Sequence, residues 1–91
     1  MHNREVNPNK AIRRLFLHEK PFILLKMIAS NDGNMYSAMA AKRIDCSYAY
    51  IIKLIKKMIE LGIITSNGTS HKKLLKLTTN GKRIYKLVSE I

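Results

Sequence analysis

What this sequence has little of narrows it first. It contains no Trp, two Phe and one cysteine, Cys46, so no internal disulfide can form and nothing in it calls for an oxidising compartment. Acidic residues are scarce: six stand against 17 Lys and Arg, a formal net charge of +11 on 91 residues. No apolar run approaches the roughly 20 residues needed to cross a bilayer. The first ten residues, Met1 to Lys10, have no apolar stretch of the kind that directs secretion, so a cytoplasmic protein is expected. His2, His18 and His71 lie far apart with a single cysteine, which leaves no zinc-ligand spacing. There is no glycine-rich phosphate loop, no nucleophile with a base beside it and no carboxylate pair, so no catalytic residue, metal or cofactor is expected and the chain does not read as an enzyme.

What is present is an ordinary apolar share, 46% of residues, enough for one domain with a modest core built from Ile, Leu, Met and Tyr. The positive charge suits a polyanion, nucleic acid or an anionic membrane surface; a general bias toward lysine accounts for part of it. From Ser37 to Lys86 there are eleven Lys or Arg against only Asp45 and Glu60, so the charge is spread over the body and not confined to a tail.

Residues 1–19 read as an N-terminal arm, frayed at its polar start. Ile12, Leu15 and Phe16 suit a short helix, whereas Leu15 and Leu17 suit an extended strand. A domain over 20–91 follows. Pro21 at a first helical position, then Phe22, Leu24, Leu25, Met27 and Ile28, predict a helix over about 20–30, stopped by Asn31-Asp32-Gly33-Asn34. Met35-Tyr36 suits a two-residue strand or extended link, and Ser37 an N-cap for a helix to Ile44. Asp45-Cys46 breaks it. Ser47 caps the next helix, which runs to about Leu61 on the stripe Ile51, Leu54, Ile55, Met58, with Gly62 as the left-handed residue after its end. The period then changes: Ile63 to Ser66 and Lys73 to Leu77 read as strands, with Asn67-Gly68 as a turn signal. Thr78 or Thr79 caps a last helix bearing Ile84, Leu87, Val88 and Ile91. The expected fold is mainly α with a small β-hairpin, in the order α-α-α-β-β-α.

Two helices at a steep angle need a small residue at their closest contact and a turn that tolerates the left-handed region. Ala41, Ile44, Asp45 and Cys46, followed by Ile51 and Leu54, resemble the helix-turn-helix pattern in this spacing. Asp45 stands where that pattern usually has Gly, and Asp is one of the few other residues that enters the left-handed region readily. Leu61-Gly62-Ile63-Ile64 and Leu77-Thr78-Thr79-Asn80-Gly81-Lys82 resemble the exit from the recognition helix and the close of the wing in MarR-like winged-helix regulators, small archaeal and archaeal-virus examples among them. The resemblance covers about residues 21 to 88. It implies a winged helix-turn-helix that binds double-stranded DNA, with recognition helix 47–61 in the major groove and wing 66–73 on flanking backbone or minor groove.

On that implication the contact residues are Ser37, Lys42 and Arg43 before the turn, and Ser47, Tyr48, Ala49, Ile52, Lys53, Lys56 and Lys57 on the recognition helix. Asn67, Thr69, His71, Lys72 and Lys73 serve on the wing. Ile52 is placed to meet a thymine methyl, and Lys53 a guanine edge or a phosphate. Each has a plainer alternative: Lys56 and Lys57 as a solvated face, Tyr48 packed on the preceding helix, Ile52 in the core, the wing as an ordinary polar hairpin. A homodimer is expected, joined by Ile12, Leu15 and Phe16 of the arm and Ile84, Leu87, Val88 and Ile91 of the last helix, unless these complete the monomer core. The leading function is a sequence-specific transcription regulator. A non-specific architectural DNA-binding protein and a winged-helix protein-interaction module are the alternatives, and a membrane-surface helix is a distant one. Cys46 reads as a small buried residue, and no small-molecule ligand is evident in so compact a chain.

Overall fold

Apolar residues recur at helical spacing up to Leu61 and change their period after it, and the computed structural model, which describes residues 8–31, 34–68 and 73–90, follows that change. The elements are α1 (Pro8–Phe16), α2 (Glu19–Asn31), β1 (Met35–Tyr36), α3 (Ser37–Ile44), α4 (Tyr48–Glu60), β2 (Ile64–Gly68), β3 (Lys73–Leu77) and α5 (Thr79–Ser89). The expected order holds, with two additions: the arm contains a helix, and Met35-Tyr36 is a true strand.

In α1, Ile12, Leu15 and Phe16 at i, i+3 and i+4 are half-buried against the core, which decides for helix over strand. Helix α2 begins at Glu19, so Pro21 sits third in the helix and not first. The first turn has no intrahelical acceptors for its N–H groups, and Pro is tolerated there as well.

The sheet is antiparallel in the order β1-β3-β2. Leu75, in the central strand, faces Met35 on one side and Ser66 on the other, and both Leu75 and Met35 are fully buried. Against this sheet lie Leu24, Leu25 and Ile28 of α2, with Ile51 and Met58 of α4, all essentially inaccessible. Each such side chain contributes about 1.5–3 kcal/mol by leaving water.

Two joints fix the angles between elements. At the end of α4, Gly62 takes φ +73. Its N–H reaches the Ile59 carbonyl (3.0 Å) while the Ile63 N–H reaches Met58 (2.9 Å), a Schellman closure that turns the chain straight into β2. At the start of α5, the Thr78 hydroxyl accepts from the Gly81 N–H (2.8 Å) and donates to the Gly62 carbonyl (2.6 Å). The Thr78 N–H bonds Ile63 (2.9 Å). Thr78 is therefore the cap, and it ties α5 to the end of α4. Gly81 is required by space: a Cβ there would run into the Ile63 carbonyl oxygen.

Two sequence expectations fail locally. Ser37 is not the cap of α3: the helix springs directly from β1, Tyr36 holds the capping position in extended geometry without a side-chain bond, and Ser37 is the first helical residue, fully buried. Asn67-Gly68 is not a two-residue turn. Strand pairing continues to Gly68↔Lys73, and of the two only Gly68 has positive φ, because the partner β3 extends the ladder past them.

Candidate nucleic-acid interface

The interface is built around α4. Ser47 is extended and accepts the Tyr50 N–H on its hydroxyl (3.1 Å), which starts the helix and commits Ser47 to that role. Ile51, Leu54, Ile55 and Met58 are buried, so at about 100° per residue the outward ridge is Ala49, Lys53, Lys56 and, at the end of the helix, Glu60. Tyr50 and Lys57 flank it on one side and Ile52 on the other. All of these are exposed except Ile52, which is half-buried against the core, so its place is the margin of the ridge and not its crest. Tyr50 is 36% exposed at the first turn and is the residue that sequence reasoning missed. Counting helical angle from Ile51 would have found it.

The turn that sets α4 forms as expected. Asp45 has φ 60 and ψ 54, its N–H closes on the Ala41 carbonyl, and the Cys46 N–H reaches the same oxygen at 3.4 Å. Ala40 and Ala41 are buried in α3, which packs on α4, so a larger side chain at either has no free space to enter. Cys46 is half-buried, because it stands at the rim of the turn and not under it. Ser37, fully buried, lies 3.4 Å from the Tyr48 hydroxyl (Oγ to Oη) and so supports the start of α4 from beneath.

Lys42 and Tyr48 line one open hollow of about 680 Å³ with Tyr36, Ala38, Met39, Ala41 and Cys46, beside the first turn of α4. Arg43 is exposed in the same last turn of α3. Asn67 is exposed near the far end of β2, and Lys73, half-buried, opens β3 opposite Gly68. Thr69, His71 and Lys72 lie outside the described residues. The cations Lys42, Arg43, Lys53, Lys56 and Lys57 are all exposed, and the acids on these two helices and the turn joining them are Asp45 in the turn and Glu60 at the last residue of α4.

The fold also brings together the two apolar segments that the sequence separates by some 70 positions. Ile12, Phe16 and Leu17 of α1 and its end meet Ile84, Leu87 and Val88 of α5 around a groove of about 500 Å³, with Arg13 at its edge. Leu17 is 81% and Leu87 60% exposed, whereas Ile84 is buried and forms the floor. Leu15 packs on the core beside it, and Ile91 lies outside the described residues. No helix among the described residues is long and apolar enough to cross a membrane.

No family model and no curated protein matches the chain. Solved structures do. MarR of Staphylococcus aureus, in complex with salicylate and kanamycin, superposes with TM-score 0.73 at 20% identity over 91% of this chain. The multiple antibiotic-resistance repressor MarR of Listeria monocytogenes gives 0.75, also at 20% identity and 91% coverage. S. aureus MepR in complex with DNA gives 0.74 at 12% identity over 90% of this chain. This chain spans 57% of the length of the first two and 69% of the third. Over nine-tenths of its length, then, the chain carries the winged helix-turn-helix fold of the MarR-family transcription regulators.

Proposed function

We propose that this chain binds double-stranded DNA as a sequence-specific transcription regulator, with α4 in the major groove and the β2–β3 wing on flanking backbone or minor groove. The observation that carries the proposal is the outward ridge of α4: Ala49, Lys53 and Lys56, with Tyr50 and Lys57 beside them, all exposed on a helix whose other face is sealed in the core. A rigid helix with one free, cationic face fits the major groove, and its N-terminal half comes nearest to base edges. Lys42 and Arg43 are then phosphate contacts. Residues 20–91 are the DNA-binding unit and residues 1–19 an arm whose helix serves assembly. MepR, whose fold this chain shares, is solved in complex with DNA, which supports the reading.

The working unit is a homodimer joined through the groove between α1 and α5. Leu17 and Leu87 leave apolar surface open there that a second copy would cover. Paired recognition helices would read half-sites about one helical turn apart. Leu17→Glu with Leu87→Glu, both exposed and so harmless to the fold, should yield monomers that bind DNA weakly. Sedimentation showing a monomer for the unmodified protein at working concentrations of about tens of micromolar would overturn the dimer.

Selection of binding sites from a random duplex pool tests the function. A two-fold symmetric consensus is expected. Binding of every duplex alike would favour an architectural protein, which the one-signed charge also suits, and no binding would favour a protein-interaction module.

A further inference from the structure

The half of α4 that would lie closest to the bases has an unusual chemistry for a helix that reads sequence. Its accessible side chains over the first two turns are Tyr48, Ala49, Tyr50, Ile52 and Lys53. Adenine is ordinarily recognised by the paired donor and acceptor of Asn or Gln, cytosine by an acid, and guanine by the fork of Arg or by Lys. Helix α4 contains no Asn, Gln or Arg, and its one acid, Glu60, is its last residue, some 16 Å along the axis from Ala49 at about 1.5 Å per residue. Apart from the phenol hydroxyls of Tyr48 and Tyr50, Lys53 alone can address a base polar group. The rest of the surface is a methyl, two aromatic rings and a half-buried isoleucine, flanked across the turn by exposed Ala38 and half-buried Met39.

Such a surface has one natural partner in the major groove. Of the groups that the four base pairs display there, only the C5-methyl of thymine is apolar. We propose that this protein reads DNA chiefly through thymine methyl groups, held against Ala49, Tyr50 and the edge of Ile52, while Lys56 and Lys57 hold the backbone beside them. Its preferred duplexes are accordingly thymine-rich in the segment under each recognition helix. The Ser37–Tyr48 contact at the first turn (3.4 Å) ties one rim of this surface to α3. This inference rests on the major-groove reading of α4 proposed above.

Duplexes that differ only in the methyl group test it. Four are needed, each of about 30 base pairs, long enough for two half-sites: one of A·T pairs only, the same with every dT replaced by dU, one of G·C pairs only, and the same with every dC replaced by 5-methyl-dC. The thymine duplex should bind about fourfold more tightly than the uracil duplex for each methyl buried per recognition helix, and about fifteenfold if two helices each bury one. Methylating the G·C duplex should recover part of that difference. Tyr50→Ala, which keeps the backbone N–H that Ser47 caps, should shrink the thymine-to-uracil ratio toward one, and Lys53→Ala should leave the ratio unchanged while weakening both. Equal affinity for the thymine and uracil duplexes overturns the inference. That holds even if both outbind the G·C pair, since the preference would then come from groove shape. Failure to bind any of the four overturns instead the underlying reading of the chain as a DNA-binding protein.

Discussion

If α4 enters the major groove, its length divides the helix into a reading half and an anchoring half, and the two respond differently to salt. The groove is about 12 Å wide, and at about 1.5 Å per residue roughly eight residues of a helix lie across it. Starting from the cap at Ser47, that window ends near Leu54. Lys53 falls inside it and Lys56 and Lys57 outside, where phosphates and not base edges are in range. Each phosphate contact contributes a slope of about −0.9 in log affinity against log salt. Lys56→Ala with Lys57→Ala should therefore flatten the slope by about 1.8 per recognition helix. Between 50 and 200 mM salt, about a fourfold range, the unmodified protein should lose roughly twelvefold more affinity than the variant for each helix engaged. The loss should be the same on a selected site and on its scrambled version. Lys53→Ala should instead cost about 1–3 kcal/mol on the selected site and much less on the scrambled one if it reaches a base edge, or behave as the outer lysines do if it holds a phosphate. Both side chains of the outer pair are exposed, so their removal does not disturb the core. Titrations by fluorescence anisotropy at several salt concentrations, on both duplexes, supply the slopes. An unchanged slope after removing both outer lysines would refute the placement of α4 on DNA.

Two further predictions concern the joints that aim this helix. Gly81→Ala forces a methyl against the Ile63 carbonyl and should destabilise the domain by about 1–3 kcal/mol, seen as a lower midpoint in denaturant unfolding at unchanged m-value. Because Gly81 also donates to Thr78, which holds Gly62, the damage should spread to the end of α4 and appear as faster hydrogen exchange at the Ile63 amide. Asp45→Gly should stabilise the fold slightly, by up to about 1 kcal/mol, and Asp45→Ala should destabilise it, since only glycine occupies φ 60 without steric cost; thermal unfolding of the pair measures the order.

Much of this molecule is legible in its residues taken in order. The stripe Ile51, Leu54, Ile55, Met58 names its own helix and its buried face, because a 3.6-residue period admits one arrangement. Gly62 and Asp45 mark two of the left-handed positions, Ser47 and Thr78 act as caps, and the period change after Gly62 marks the start of the sheet. These are local choices, settled within about one turn of chain, and the tertiary structure agrees with them. What it decided alone are matters of distant contact. Ser37 has the chemistry of a cap and became a buried support for Tyr48, because Tyr36 before it was drawn into pairing with Leu74, 38 positions later. Asn67-Gly68 has the chemistry of a turn and became strand, because β3 pairs with it as far as Lys73. The arm was ambiguous by itself; packing of Ile12, Leu15 and Phe16 on the core selected the helix. The meeting of α1 with α5 is likewise invisible in either segment, each of which is merely an amphipathic helix until the fold sets their apolar sides around one groove. Local propensity places each cap and stripe, but which face stays open is determined by what the rest of the chain covers.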